Sequence, residues 1–158
     1  MSTFLYKGGT VSFEEKGVWI LLTVSVGAYA VYLSLILGGD PSIPLADRDF
    51  AVPMLWTIGG AIVAGIVLTI IVSIITGIVS RRSDIDKKDA RDRQIEHFGE
   101  RVGQSFVVIG AVGALLLAMV EAPYFWIANA IYLGFVLSGI LASIAKLVAY
   151  RRGLPASW

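Results

Sequence analysis

The sequence predicts an all-α integral membrane protein, a four-helix bundle with both termini in the cytoplasm and a cytoplasmic helical extension between its second and third spans. Three observations carry that expectation. Of 158 residues, 56% are hydrophobic, and the mean hydropathy is +0.77. The apolar residues collect in four uncharged runs, at about 18–37, 51–79, 102–120 and 124–145, and about 20 helical residues suffice to cross a bilayer core of roughly 30 Å. Charge is concentrated instead in one block, 81–101, which with Val102 and Gly103 holds seven of the thirteen Lys/Arg, six of the twelve Asp/Glu and the only His. The whole chain, 1–158, reads as a single membrane domain.

Taken in order, the first residues form a polar lead-in with Tyr6 and Phe13 as interfacial anchors, and Ser12-Phe13-Glu14-Glu15 fits a capping box. Glu14 and Glu15 stand where a cleavable signal would be basic, so none is expected. The first span stops at Gly38-Gly39-Asp40-Pro41, and a short loop with two prolines and Asp47-Arg48-Asp49 leads to the second. Pro53 is tolerated in the first turn of that span, where a missing N–H costs nothing. At 1.5 Å per residue its uncharged run is longer than the hydrocarbon requires, so it tilts or projects from the membrane. Glu121-Ala122-Pro123-Tyr124 reads as a tight hairpin between the last two spans.

Orientation follows from the basic residues flanking the spans. The N-terminal segment has two Lys/Arg, the first linker one, the charged block seven, the last hairpin none and the C-terminal segment three. Both termini and the block are therefore expected in the cytoplasm. Trp56, Tyr124 and Trp126 then fall at the opposite interface, with Trp19 and Tyr150 at the cytoplasmic one.

Apolar side chains gain little by meeting one another in lipid, so close approach of small residues helps to drive helix association. Ala130, Gly134, Ser138 and Ala142 recur in steps of four along the fourth span. Gly99, Gly103, Phe106, Gly110 and Gly113 follow alternating four- and three-residue steps, a seam that starts inside the charged block and makes block and third span one continuous helix. Gly60, Ala61, Ala64 and Gly65 offer a similar patch on the second span.

Within the block, Ile95, Phe98 and Val102 at helical spacing also fit an amphipathic helix lying near the membrane surface. Asp84/Lys88 and Asp89/Arg93 are favourable pairs four residues apart, each worth about 0.2–0.5 kcal/mol. Asp92/Glu96 and Glu96/Glu100 are like-charge pairs at the same spacing, so this acidic stripe calls for basic partners. Arg81, Arg82, Lys146, Arg151, Arg152 and lipid-bound cations are the candidates.

Asp89-Ala90-Arg91-Asp92-Arg93-Gln94-Ile95 followed by Gly99, Arg101 and Gly103 resembles the D-E-R-D-x-x-I-x-x-x-G-x-R-x-G signature of small, uncharacterised four-span membrane proteins of bacteria and archaea. Ala90 departs from it, standing where the signature usually has Glu. The resemblance implies a prokaryotic plasma (inner) membrane protein, a signalling or regulatory accessory encoded beside a small DNA-binding regulator. It implies no catalytic residues.

Other chemistries find little footing. Asp84-x-Asp86-x-x-Asp89-x-x-Asp92 lacks the Gly and terminal Glu of an EF-hand loop, and His97 has neither Cys nor a second His beside it. No phosphate-binding loop, nucleophile elbow or zinc-protease motif occurs, so neither an enzyme nor a cofactor is expected. The net charge of +1 argues against direct nucleic-acid binding. The spans carry no ionisable Asp, Glu, Lys, Arg or His, which proton-coupled transport would normally require. What remains is a non-enzymatic membrane module, in contact with membrane lipids, whose block docks a protein partner or a second copy. Asp89, Arg91, Asp92, Arg93 and Arg101 would make the contacts, with Gly99 and Gly103 allowing close approach. The alternative is a small transporter or channel subunit with a pore between protomers, lined by residues such as Asn129 and Ser138.

Overall fold

A long apolar run in lipid can satisfy its backbone amides only along its own chain, so it becomes a helix. The computed structural model describes residues 13–79 and 90–154. Within them four α-helices follow one another, α1 (Phe13–Leu37), α2 (Ala51–Val79), α3 (Ala90–Met119) and α4 (Tyr124–Arg152), with a 3₁₀ turn at Leu45–Asp47. All four are long and apolar enough to cross a membrane. Ser12 and its cap, Tyr6, Arg81, Arg82, Asp84, Asp86, Lys88 and Asp89 lie outside the described residues.

Of the two readings of the charged block, its described part follows the continuous one. α3 runs unbroken from Ala90 to Met119. α4 explains why: it too continues past its apolar run, to Arg152, and the buried Ile95, Gly99 and Gly103 pack along that extension.

The connections are held locally. At the end of α1, the Gly38 N–H donates to Ser34 O at 2.9 Å. Arg48 then reaches back, its guanidinium donating to the carbonyls of Ile36, Asp40 (2.7 Å) and Ile43 (3.0 Å). This satisfies a carbonyl that the helix end leaves open and sets a cation at the negative end of the dipole. Beside it, the Ser42 hydroxyl (2.7 Å) and N–H (2.9 Å) both donate to Asp40 Oδ1 and hold that carboxyl below the usual carboxylate range. Between α3 and α4, Ala122 N–H donates to Leu117 O and Glu121 N–H to Ala118 O, a Schellman closure in which Glu121 takes φ 55°.

α1 packs on α2 and on α4, while α3 packs most extensively on α4. α4 is thus the central helix and shows a different face to each neighbour. Towards α1, Tyr32, Ile36, Phe125, Tyr132 and Val136 form a core flanked by Tyr29, Phe50, Met54 and Ile58. Its polar atoms are satisfied within the chain. Tyr32 donates to Asn129 Oδ1 at 2.7 Å, Asn129 Nδ2 donates to Phe125 O at 2.8 Å, and the Thr57 hydroxyl lies 3.4 Å from that of Tyr132. Tyr132 also meets Tyr29 and Tyr32 edge-on, with centroids 5.6 and 5.1 Å away.

Towards α3, α4 presents its small residues. A Cβ on Gly110 would stand 2.8 Å from the Gly134 Cα, and one on Gly134 would stand 2.9 Å from the Gly110 Cα. A Cβ on Gly103 would meet Ser138 O at 3.0 Å and the Ala142 Cβ at 3.1 Å. Ala130 O is 3.3 Å from the Cβ position of Gly110. Backbones this close gain dispersion along their whole length, with no bulk between them. Gly113 takes no part: nothing lies within 4 Å of its Cβ position, and Ala114 is the buried residue there. The α-helical repeat of 3.6 explains the shift, since steps of four from Gly110 reach Ala114, not Gly113. On α2, the Cβ positions of Gly60 and Gly65 likewise meet nothing within 4 Å, so Gly60 makes no close crossing among the described residues.

Candidate functional site

The described half of the charged block has two faces, separated by helical periodicity. One carries Arg93, Gln94, His97, Glu100 and Arg101, all exposed. His97 Nδ1 stands 3.5 Å from Glu100 Oε2 with both side chains well solvated, an arrangement worth at most a few tenths of a kcal/mol, or ~0.5. The other face is turned into the molecule. Ile95, Gly99 and Gly103 are buried, and Asp92 and Glu96 are half-buried beside them.

The residues proposed from sequence for docking therefore do not act as one set. Arg93 and Arg101 are on the open face. Arg91 is exposed but sends Nη2 back to Tyr150 O at 3.4 Å, towards the carbonyl end of α4. Gly99 and Gly103 do permit a close approach, but of α4: a Cβ on Gly99 would run into the Lys146 side chain and stand 3.0 Å from Ala142 O. Asp92 faces inward, where the Tyr150 hydroxyl bonds to it. Asp89 lies outside the described residues.

Asp92 and Glu96 line a cavity of about 250 Å³ with Glu14 of α1 and Lys146 and Tyr150 of α4, while Gly17, Val18, Ile20 and Leu21 of α1 and Thr69 and Val72 of α2 supply its apolar wall. The acidic stripe thus shares this cavity with one of the basic candidates, Lys146; Arg151 and Arg152 are exposed. The like-charge spacing of Asp92 and Glu96 was the available signal that something faced them. Glu14 and Tyr150 carried no such signal, because a capping position and an interfacial aromatic already accounted for them.

A second cavity, of about 560 Å³, opens between α1, α2 and α4. Its walls are almost wholly apolar, among them Val24, Ala28, Ala61, Ile62, Ile66 and Phe135. Gly17, Ile20, Leu21 and Thr69 line both cavities, so the two share a neck. Among the described residues no group of three His, Cys, Asp or Glu could hold a metal ion.

No family model matches the chain, and neither a curated protein nor a solved structure matches it.

Proposed function

We propose that this protein is a non-enzymatic membrane module, a signalling, regulatory or accessory subunit, that docks a protein partner or a second copy through the open face of α3. The observation that carries the proposal is the pairing of a charged face, Arg93, His97, Glu100 and Arg101, with a rigid support: the same helix is locked to α4 at Gly99 and Gly103. A charged surface that does not flex pays less ordering entropy on association than a loop would. Arg suits such a face because its fork makes paired bonds to carboxylates.

The plasma membrane of a prokaryote, with both termini inside, is the proposed location, on the strength of the Lys/Arg distribution and the loop resemblance. The alternative, a pore between protomers, relied on Asn129 and Ser138. Asn129 is engaged by Tyr32 and Phe125, and Ser138 lies against Gly103, both within one chain.

Cross-linking and co-purification in mild detergent test the proposal with wild type, Arg93→Ala, Arg101→Ala, Asp92→Ala and Arg81/Arg82→Ala. Losing one half of a desolvated charge pair costs about 2–5 kcal/mol, against about 0–1 for a solvated one. Arg93→Ala and Arg101→Ala should therefore lose most of the complex, while Asp92→Ala, on the inward face, should keep it. Five indistinguishable proteins would make the open face a solvated connector.

A further inference from the structure

Where the start of α3 meets the end of α4, guanidinium groups collect at the depth of lipid headgroups. We propose that Arg91, Arg151 and Arg152 form one site for the phosphate of an anionic phospholipid. The inference is independent of docking through Arg93 and Arg101, and it rests on register, depth and donor geometry.

Register brings together residues that are far apart in the chain. The glycine seam aligns α3 antiparallel to α4, with Gly110 on Gly134, Gly103 on Ser138, and Gly99 on Ala142 and Lys146. Continued for about two more turns, the same register sets Arg91 level with the last turn of α4, which ends in Arg151 and Arg152. The structure makes that contact: Arg91 Nη2 lies 3.4 Å from Tyr150 O, the carbonyl joined to the Arg151 amide.

Depth and donors select the ligand. α4 has 29 residues and a length of about 44 Å, whereas a hydrocarbon core takes up roughly 30 Å. With its apolar run, 124–145, in that core, Arg151 and Arg152 stand about 9–11 Å past the edge. An arginine stem is long enough to return a guanidinium from there to the phosphate layer. All three side chains are exposed. Arg91 gives Tyr150 O one of its N–H groups and keeps the others, and among the described residues no ion pair engages Arg151 or Arg152. Asp92, the next residue of α3, is bonded by the Tyr150 hydroxyl and turned inward. A phosphate diester offers its charged oxygens to such forks. A headgroup with its own ammonium would bring a further cation among three, so the site favours lipids of net negative charge.

Matched lipids test each part. The full chain in micelles of an uncharged maltoside detergent is titrated with phosphatidylglycerol and with phosphatidylcholine of the same acyl chains. Bound lipid is counted by native mass spectrometry, and inorganic phosphate and glycerol phosphate serve as competitors without tails. Phosphatidylglycerol should bind at least about tenfold more tightly than phosphatidylcholine, and neither competitor should displace it. Each of Arg91→Gln, Arg151→Gln and Arg152→Gln should weaken phosphatidylglycerol about fivefold and leave phosphatidylcholine unchanged. Lys16→Gln removes the same charge from α1 at the same end of the bundle, and should alter neither. Arg91→Lys/Arg151→Lys/Arg152→Lys keeps every charge but loses the forks, and should lower the preference at least about threefold. Equal affinity of wild type for the two lipids would overturn the proposal. So would a loss in Lys16→Gln as large as in the arginine variants, or a triple lysine variant that binds like wild type, since either would reduce the site to diffuse surface charge. Displacement by the tail-less anions would overturn it in favour of a soluble phosphate compound. Should a variant melt early, the wild-type lipid comparison, the competitors and the remaining variants decide the matter.

Discussion

Glycine at 110 and 134 and glycine at 113 are the same residue type in the same pair of helices, yet their environments demand opposite outcomes on substitution. Gly110→Ala or Gly134→Ala sets a methyl group under 3 Å from backbone that cannot rotate away. Overpacking of this kind costs about 1–3 kcal/mol, and Gly134→Leu should cost at least as much. Leu137→Ala, at a 36% exposed position, should cost less than Gly134→Leu. Gly113→Ala meets nothing and replaces a poor helix former, so it should be neutral or stabilising by up to about 1 kcal/mol. Detergent melting curves would rank the five; Gly134→Leu melting with Leu137→Ala would mean that the fourth-span ridge faces lipid. Glu121 offers the converse case. Its φ of 55° lies where a side chain is penalised and glycine is not. Glu121→Gly should raise stability by about 1 kcal/mol, measured in the same way, and a fall would show that the Glu121 side chain supplies a compensating contact.

At the scale of elements, the loop between α1 and α2 depends on one side chain. Arg48 bonds three carbonyls in three different directions, a geometry that a point-like ammonium cannot copy. Arg48→Lys should therefore destabilise the end of α1 by about 1–2 kcal/mol, because hydrogen bonds to a charged group are worth about 1.5–3 each and Lys retains some of them. Limited proteolysis at 38–50 is the measurement, and an unchanged cleavage rate would count against a clamp. The Asp40–Ser42 turn should loosen only in acid. Its depressed carboxyl contributes stability above the unfolded pKa and loses it as pH falls through the folded one.

For the whole molecule, the lopsided Lys/Arg count predicts that the α1–α2 loop and the charged block lie on opposite sides of the membrane. The chain has no Cys, so single thiols report cleanly. Ile43→Cys is 42% exposed in wild type and leaves the Asp40–Ser42 turn intact. It should react with an impermeant maleimide in intact cells, whereas Ser83→Cys should react only after the cells are opened. Labelling of both in intact cells would reverse the orientation argument.

Four apolar helices and the small-residue ridge of α4 could be read from the sequence, whereas α3 and α4 run past their apolar spans, to Ala90 and to Arg152. The apolar helices and the ridge depend on local quantities: the length of an apolar run, the place of a Pro or Gly, and a period of four. Partners depend on which helices meet, and no period states that. Gly99 and Gly103 look equally ready for a foreign helix or for α4, and only the packed structure gives them to α4. Gly60 and Gly110 look alike as small residues in a span, yet one meets open space and the other a glycine. The inward chamber was the least legible feature. Glu14, Asp92 and Tyr150 are separated by most of the chain, and each has a sufficient local role. They become one site only because α1 and α3 both lie along α4, an arrangement set by the fit of surfaces rather than by any single segment.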